Sequence, residues 1–101
     1  MKKEIICEAI RKRKLISFFY KGGIRIVEPY LLGLNKTTDN LTLSAWFLRG
    51  ASESSSSPNW RNYLVEDMTS ISILEASFNP NPPRYGYNRL DSKMSAIYCR
   101  I

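Results

Sequence analysis

The chain has 101 residues, 44% of them hydrophobic and 12% aromatic, and a formal net charge of +6. Such a length suits one domain that folds without staples, and the apolar content is too high for a disordered tail. With no histidine and only two cysteines, the usual four-ligand zinc sets and any Ser-His or Cys-His nucleophile are excluded.

The charge is uneven. Residues 1–21 carry Lys2, Lys3, Arg11, Lys12, Arg13, Lys14 and Lys21 against Glu4 and Glu8, seven minus two, so +5 of the +6 lies in the first fifth. This implies either an anionic partner or a solvated helix end whose cations complement the helix dipole. Cys7 and Cys99 are expected as buried free thiols. A disulfide between the two ends is the alternative, but nothing marks the chain as secreted. No apolar run approaches about 18 residues and no signal-peptide core follows Lys2-Lys3, so the expectation is a soluble, cytoplasmic protein without a membrane partner.

In chain order, residues 2–13 predict a helix, because Ile5, Ile6, Ala9 and Ile10 recur at helical spacing while Lys3, Glu4, Glu8, Arg11 and Lys12 take the other face. Strand one, residues 15–20, alternates Leu15, Ser17 and Phe19 with Ile16, Phe18 and Tyr20, so both faces need cover. A hairpin at Lys21-Gly22-Gly23 leads into strand two from Ile24. There Pro29 removes a ladder donor and predicts a bend, bulge or edge, a kink that lets one long strand serve both halves of a rolled sheet. Asn35 to Asn40 is a polar turn.

Strand three, residues 41–48, sets Leu41, Leu43, Ala45 and Phe47 on a core face. Residues 49–58, RGASESSSSP, predict a mobile hairpin loop. Strand four covers 60–65, a tight or single helical turn follows at Glu66-Asp67-Met68, and strand five covers 70–74. The Pro-rich stretch 79–88 predicts an ordered strap anchored by Tyr85 and Tyr87, and residues 94–101 a closing strand. The sum is mainly β with one N-terminal helix, a small barrel or rolled sheet.

Enzymatic chemistry finds no support. There is no phosphate loop, no carboxylate cluster for a metal, no cofactor motif, and Glu66 and Asp67 point apart in an extended segment. An anion-binding surface is the stronger reading. Arg61 and Tyr63 share one strand face and offer a forked donor beside an aromatic platform. Tyr20, Arg25, Tyr30 and Trp46 complete a pocket in which a base stacks while arginines hold phosphate, with core packing as the alternative for each. Arg11-Lys12-Arg13-Lys14 is the candidate for backbone phosphate contacts. Trp60, Tyr85 and Tyr87 suit instead a buried interface, so a homo-oligomerisation or protein-interaction module with incidental charge, or one that docks on a regulator, is the second hypothesis.

Taken in order, Ala9-Ile10-Arg11 through Tyr20, Arg25-Ile26-Val27-Glu28-Pro29, Leu43-Ser44-Ala45, Arg61-Asn62-Tyr63-Leu64-Val65-Glu66 and Phe78 resemble a WYL domain over roughly residues 5–78. The chain departs from it at Leu41-Thr42-Leu43, where the naming tripeptide keeps only its leucine, and at Asp67, where many members carry arginine. The family's usual winged helix-turn-helix is not in this sequence. The resemblance implies a standalone Sm-like, SH3-type β-barrel of about five strands: a helix over 1–14, the barrel over 15–78, and a strap and closing strand over 79–101. It further implies a ligand-sensing or nucleic-acid-binding module of the kind found in bacterial transcription regulators and phage defence. Such a barrel holds a nucleotide or single-stranded nucleic acid against basic and aromatic side chains.

Overall fold

The computed structural model describes residues 1–51 and 57–101. One helix, α1 (Lys2–Lys12), precedes six strands: β1 (Lys14–Tyr20), β2 (Gly23–Asn35), β3 (Leu41–Gly50), β4 (Asn59–Leu64), β5 (Thr69–Ser77) and β6 (Met94–Arg100). A single 3-10 turn at Val65–Asp67 joins β4 to β5. All pairings are antiparallel, in the order β4-β3-β2-β1-β5 with β6 also on β2. Among the described residues no ladder joins β4 to β5, so the sheet is not closed.

The helix forms where the apolar spacing required it, and Ile6, Ala9 and Ile10 are its buried residues. It ends because Arg13 turns left-handed, with φ 59° and ψ 43°, and donates its N–H to the carbonyls of the last turn. Glycine usually takes that position; arginine accepts the strain here. The Arg13 carbonyl is then free to accept the Phe78 N–H at 2.9 Å. Lys21 and Gly22 both have positive φ, 47° and 88°, between the paired residues Tyr20 and Gly23. The hairpin is therefore a two-residue turn, and Gly23 already belongs to β2.

β2 organises the sheet. One edge pairs with β3 along most of its length, while the other pairs β1 through residues 23–27 and β6 through residues 31–35. The change of partner falls at Pro29. The β3 register jumps from Pro29↔Ala45 to Leu31↔Ser44, leaving Tyr30 as the bulged residue, and its carbonyl accepts the Ile101 N–H at 2.8 Å. A proline without an N–H is tolerated where the ladder is already interrupted. Beyond the bulge β6 lies so close that a Cβ on Gly33 would overlap the Ala96 carbonyl oxygen.

Two clusters occupy the two sides of the sheet. On the helix side, Ile6, Ala9 and Ile10 meet Ile16, Phe18, Tyr20, Val27, Leu43, Ala45, Phe47, Tyr63 and Met68, all buried. Leu43, Ala45 and Phe47 thus form the core face that alternation indicated, while Leu41 is only partly buried against it. On the other side, Leu15, Tyr30 and Phe78 are buried with Trp46, Trp60 and Tyr87 packed against them. The strap covers this second side. Arg84 forms a two-pronged ion pair with buried Glu28 at 3.0 and 2.8 Å, and the Tyr87 ring stacks on Trp60 with centroids 5.7 Å apart. Tyr85 anchors differently from expectation: its ring is 97% exposed, and its backbone carbonyl accepts the Trp60 indole N–H at 2.7 Å.

The cysteines are not free thiols. Cys7 and Cys99 form a disulfide across 92 residues of sequence, with Cα atoms 5.7 Å apart. Cys7 follows Ile6 on the helix flank that meets β6, and β6 returns to α1 only because β2 bends; neither fact is visible locally. The loop expected over 49–58 starts later, since β3 reaches Gly50, and ends where expected, with β4 starting at Asn59; residues 52–56 lie outside the described residues. Among the described residues no helix is long and apolar enough to cross a membrane.

Candidate functional site

The six residues expected to line one pocket do not converge. Tyr20, Arg25, Arg61 and Tyr63 gather on the helix side, whereas Tyr30 and Trp46 lie in the cluster beneath the strap. The separation follows the period-two alternation of the strands: Arg25 and Val27 turn to the helix side while Ile26, Glu28 and Tyr30 turn to the strap, and Trp46 lies opposite Ala45 and Phe47.

The helix-side group is built at the ends of β1, β2 and β4. The Tyr20 ring meets Tyr63 edge-on at 5.1 Å, Phe18 meets Tyr63 at 5.0 Å, and Arg25 sits 5.4 Å from the Tyr20 centroid. Tyr20 Oη accepts the Leu64 N–H at 3.1 Å, and its carbonyl accepts from Arg25 Nη2 at 3.1 Å. Arg61 is half-buried, donates Nη1 to the Trp60 carbonyl at 3.0 Å and lies 5.4 Å from the Phe47 centroid. Arg25 is 5% exposed, yet among the described residues no carboxylate pairs with it. Its Nε is buried and has no hydrogen-bond partner among those residues, and the Tyr63 phenol is buried within reach of the Arg25 charge. Buried guanidinium groups are ordinarily paired, and buried polar atoms ordinarily bonded, so this arrangement calls for an explanation.

Beneath the strap the chemistry is that of a satisfied structural contact. Tyr30 is 1% exposed, with Oη accepting the Arg84 N–H at 3.2 Å. Trp46 lies under the Arg84 guanidinium, which is 5.2 Å from its ring centroid, and its buried Nε1 has no hydrogen-bond partner among the described residues.

Burial raises the pKa of Tyr63, Tyr30 and Tyr87 above the ordinary 10.0. The charges of Arg25 and Arg61 oppose it at Tyr63, as Arg100 and Arg89 do at Tyr87. A group with a raised folded pKa adds stability that is fully present below its unfolded value and lost as pH rises through the folded one. The expected outcome is an alkaline unfolding transition beginning above pH 10. Tyrosinate absorbance should rise for these phenols together with loss of the β-sheet circular dichroism signal. Full ionisation with the sheet intact would contradict it.

The basic run divides. Lys12 pairs with Glu8 at 3.1 Å and Lys14 donates to the Glu75 carbonyl at 2.8 Å, but Arg11 and Arg13 turn into a groove of about 430 Å³ between α1 and β6. Tyr98 and Arg100, which the sequence reading passed over, line its far wall, with Cys7 and Cys99 between. A signal was available, because Tyr98-x-Arg100 carries an aromatic and an arginine at period two as Arg61-x-Tyr63 does. Among the described residues no group of three or more His, Cys, Asp or Glu is disposed to hold a metal.

Fold and site together define a small mainly β protein with one covering helix, a buried arginine-and-tyrosine group, an open arginine-and-tyrosine groove and a disulfide beneath the groove. No protein-family model matches the sequence, and no match is found among curated proteins or solved structures.

Proposed function

We propose that the chain is a non-catalytic sensor or regulatory module that binds an anionic ligand, a nucleotide or single-stranded nucleic acid, at Arg25, Arg61, Tyr20 and Tyr63. The observation that carries this reading is the buried Arg25 guanidinium, which has no carboxylate partner among the described residues, beside the buried Tyr63 phenol. A phosphate oxygen admitted to this group would accept from the Arg25 guanidinium and place a negative charge opposite it. The WYL resemblance supports the same chemistry, and a bent β2 that serves β1 and β6 along one edge supports an Sm-like, SH3-type roll.

The test sets binding against stability. Arg25→Met removes a buried charge while keeping most of the volume, so it is expected to raise unfolding free energy by roughly 1–3 kcal/mol. The same variant, and Arg61→Ala, should weaken nucleotide binding at least about tenfold, the loss of one charge-assisted hydrogen bond. Tryptophan fluorescence titration with nucleotides and urea denaturation read the two effects. Unchanged binding in both variants would sink the proposal.

The alternative of a homo-oligomerisation module is favoured by one feature. Phe19 and Ile24, 45% and 59% exposed, sit opposite each other across β1 and β2 next to the β5 edge. A concentration-dependent dimer insensitive to salt and lost in Ile24→Ser would favour it over ligand binding.

A further inference from the structure

We propose that the groove between α1 and β6 is a second binding site, which holds the phosphodiester backbone of a single-stranded nucleic acid on Arg11, Arg13 and Arg100 and stacks a base on Tyr98. This rests on the reading that the ligand is anionic, and adds a surface separate from the Arg25–Tyr63 group.

The groove is open, about 430 Å³, and no carboxylate side chain lines it. The acids of α1 are engaged elsewhere, Glu4 with the N-terminal ammonium and Glu8 with Lys12, and β6 has none. Lys3 adds a fourth cation, its Nζ 4.3 Å from the Tyr98 ring centroid. Arg13 and Arg100, together with Arg89, also bear on the Tyr87 phenol, so the positive field continues toward the strap. Helix-dipole complementation accounts for part of this. Arg13 Nη1 does bond the Ile10 carbonyl at 2.8 Å. The half-charge at a helix C-terminus, however, does not balance three arginines and a lysine, and Arg100 comes from a strand with no dipole to complement. A row of cations beside an aromatic ring that is 44% exposed has the make-up of a single-strand track.

The experiment is anisotropy of a fluorescein-labelled oligothymidylate of eight nucleotides at 50 and 200 mM salt. With a slope of about −0.7 per phosphate contact, three contacts give a loss of about 20-fold over that range. Arg100→Ala should cut the loss to about 7-fold by removing one contact. Tyr98→Ala should weaken binding roughly 5- to 100-fold and leave the slope unchanged. Lys12→Ala and Lys14→Ala should change neither.

Absence of binding at 50 mM salt, an unchanged slope in Arg100→Ala, equal effects from the two lysines, or equally tight binding of a heparin oligosaccharide would each overturn the site. Oligonucleotide binding lost in Arg25→Met but intact in Arg100→Ala would overturn it while leaving the proposed function standing. The reverse result would retain the groove and remove the pocket. Circular dichroism melts of each variant separate lost binding from lost fold.

Discussion

Reduction of the Cys7–Cys99 bond, or its replacement by Cys7→Ser with Cys99→Ser, is expected to lower the unfolding free energy by roughly 4–5 kcal/mol. The bond closes a loop of 92 residues, and the chain-entropy estimate for a loop of that order is about 4.6 kcal/mol. Few cross-links in a chain of this size constrain more of the unfolded ensemble. For a domain near 100 residues the change corresponds to roughly 20–30 °C in Tm. Loss of this size is comparable to the whole stability of many small domains, so partial unfolding at ambient temperature is part of the expectation. Thermal melts of the oxidised protein, the reduced protein and the double serine variant read it directly. Equal melting of all three would mean that the bond contributes nothing in solution. The effect on binding should follow, since the disulfide joins the two walls of the arginine groove. A covalent link of this kind persists in oxidising surroundings and is rare where glutathione keeps thiols reduced. In a reducing compartment the stability expected is that of the reduced form.

The second large effect concerns Glu28, whose side chain is 7% exposed against 44% for its partner Arg84. Arg84→Ala leaves a buried carboxylate without its counter-charge and is expected to cost about 3 kcal/mol, at the low end for broken buried pairs because Arg84 itself reaches solvent. The hydrogen bonds that Arg84 donates to Glu28 hold the guanidinium pKa above its ordinary value, so Arg84 stays charged across the accessible pH range. The same change loosens the strap, since the Arg84 side chain also lies over Trp46. A red shift in tryptophan emission should accompany the lost stability, because Trp46 and Trp60 both lie under the strap. Glu28→Leu combined with Arg84→Met removes both charges and should recover most of the loss. If the double variant were as unstable as Arg84→Ala, the cost would lie in packing and not in the orphaned charge.

How legible the molecule is in its sequence depends on the range of the interactions involved. Periodicity located α1 and all six strands within a few residues, because side-chain direction repeats every 3.6 or every two residues whatever the rest of the chain does. The Lys21-Gly22 turn and the interruption at Pro29 were readable for the same reason, each being a property of one or two backbone units. The strap was foreseen from its prolines, although its anchors were assigned by ring when Tyr85 holds through its carbonyl. Glu28 and Arg84 are 56 residues apart, and nothing in either neighbourhood announces that they meet.

The sequence by itself determined the class of the fold, mainly β with a basic leading helix, and the arginine and tyrosine side chains from which the proposed anion site is built. Tertiary structure alone decided which of those residues meet. One bulged residue, Tyr30, shifts the register between β2 and β3, so that Leu32 returns to the helix-side cluster that Val27 belongs to, against the parity of the strand. The same bend carries β6 back to α1, so that Cys99 reaches Cys7 and Arg100 reaches Arg11 and Arg13. A one-residue change of register exchanges the two faces of a strand, and long-range pairing places distant elements side by side; a local pattern contains neither.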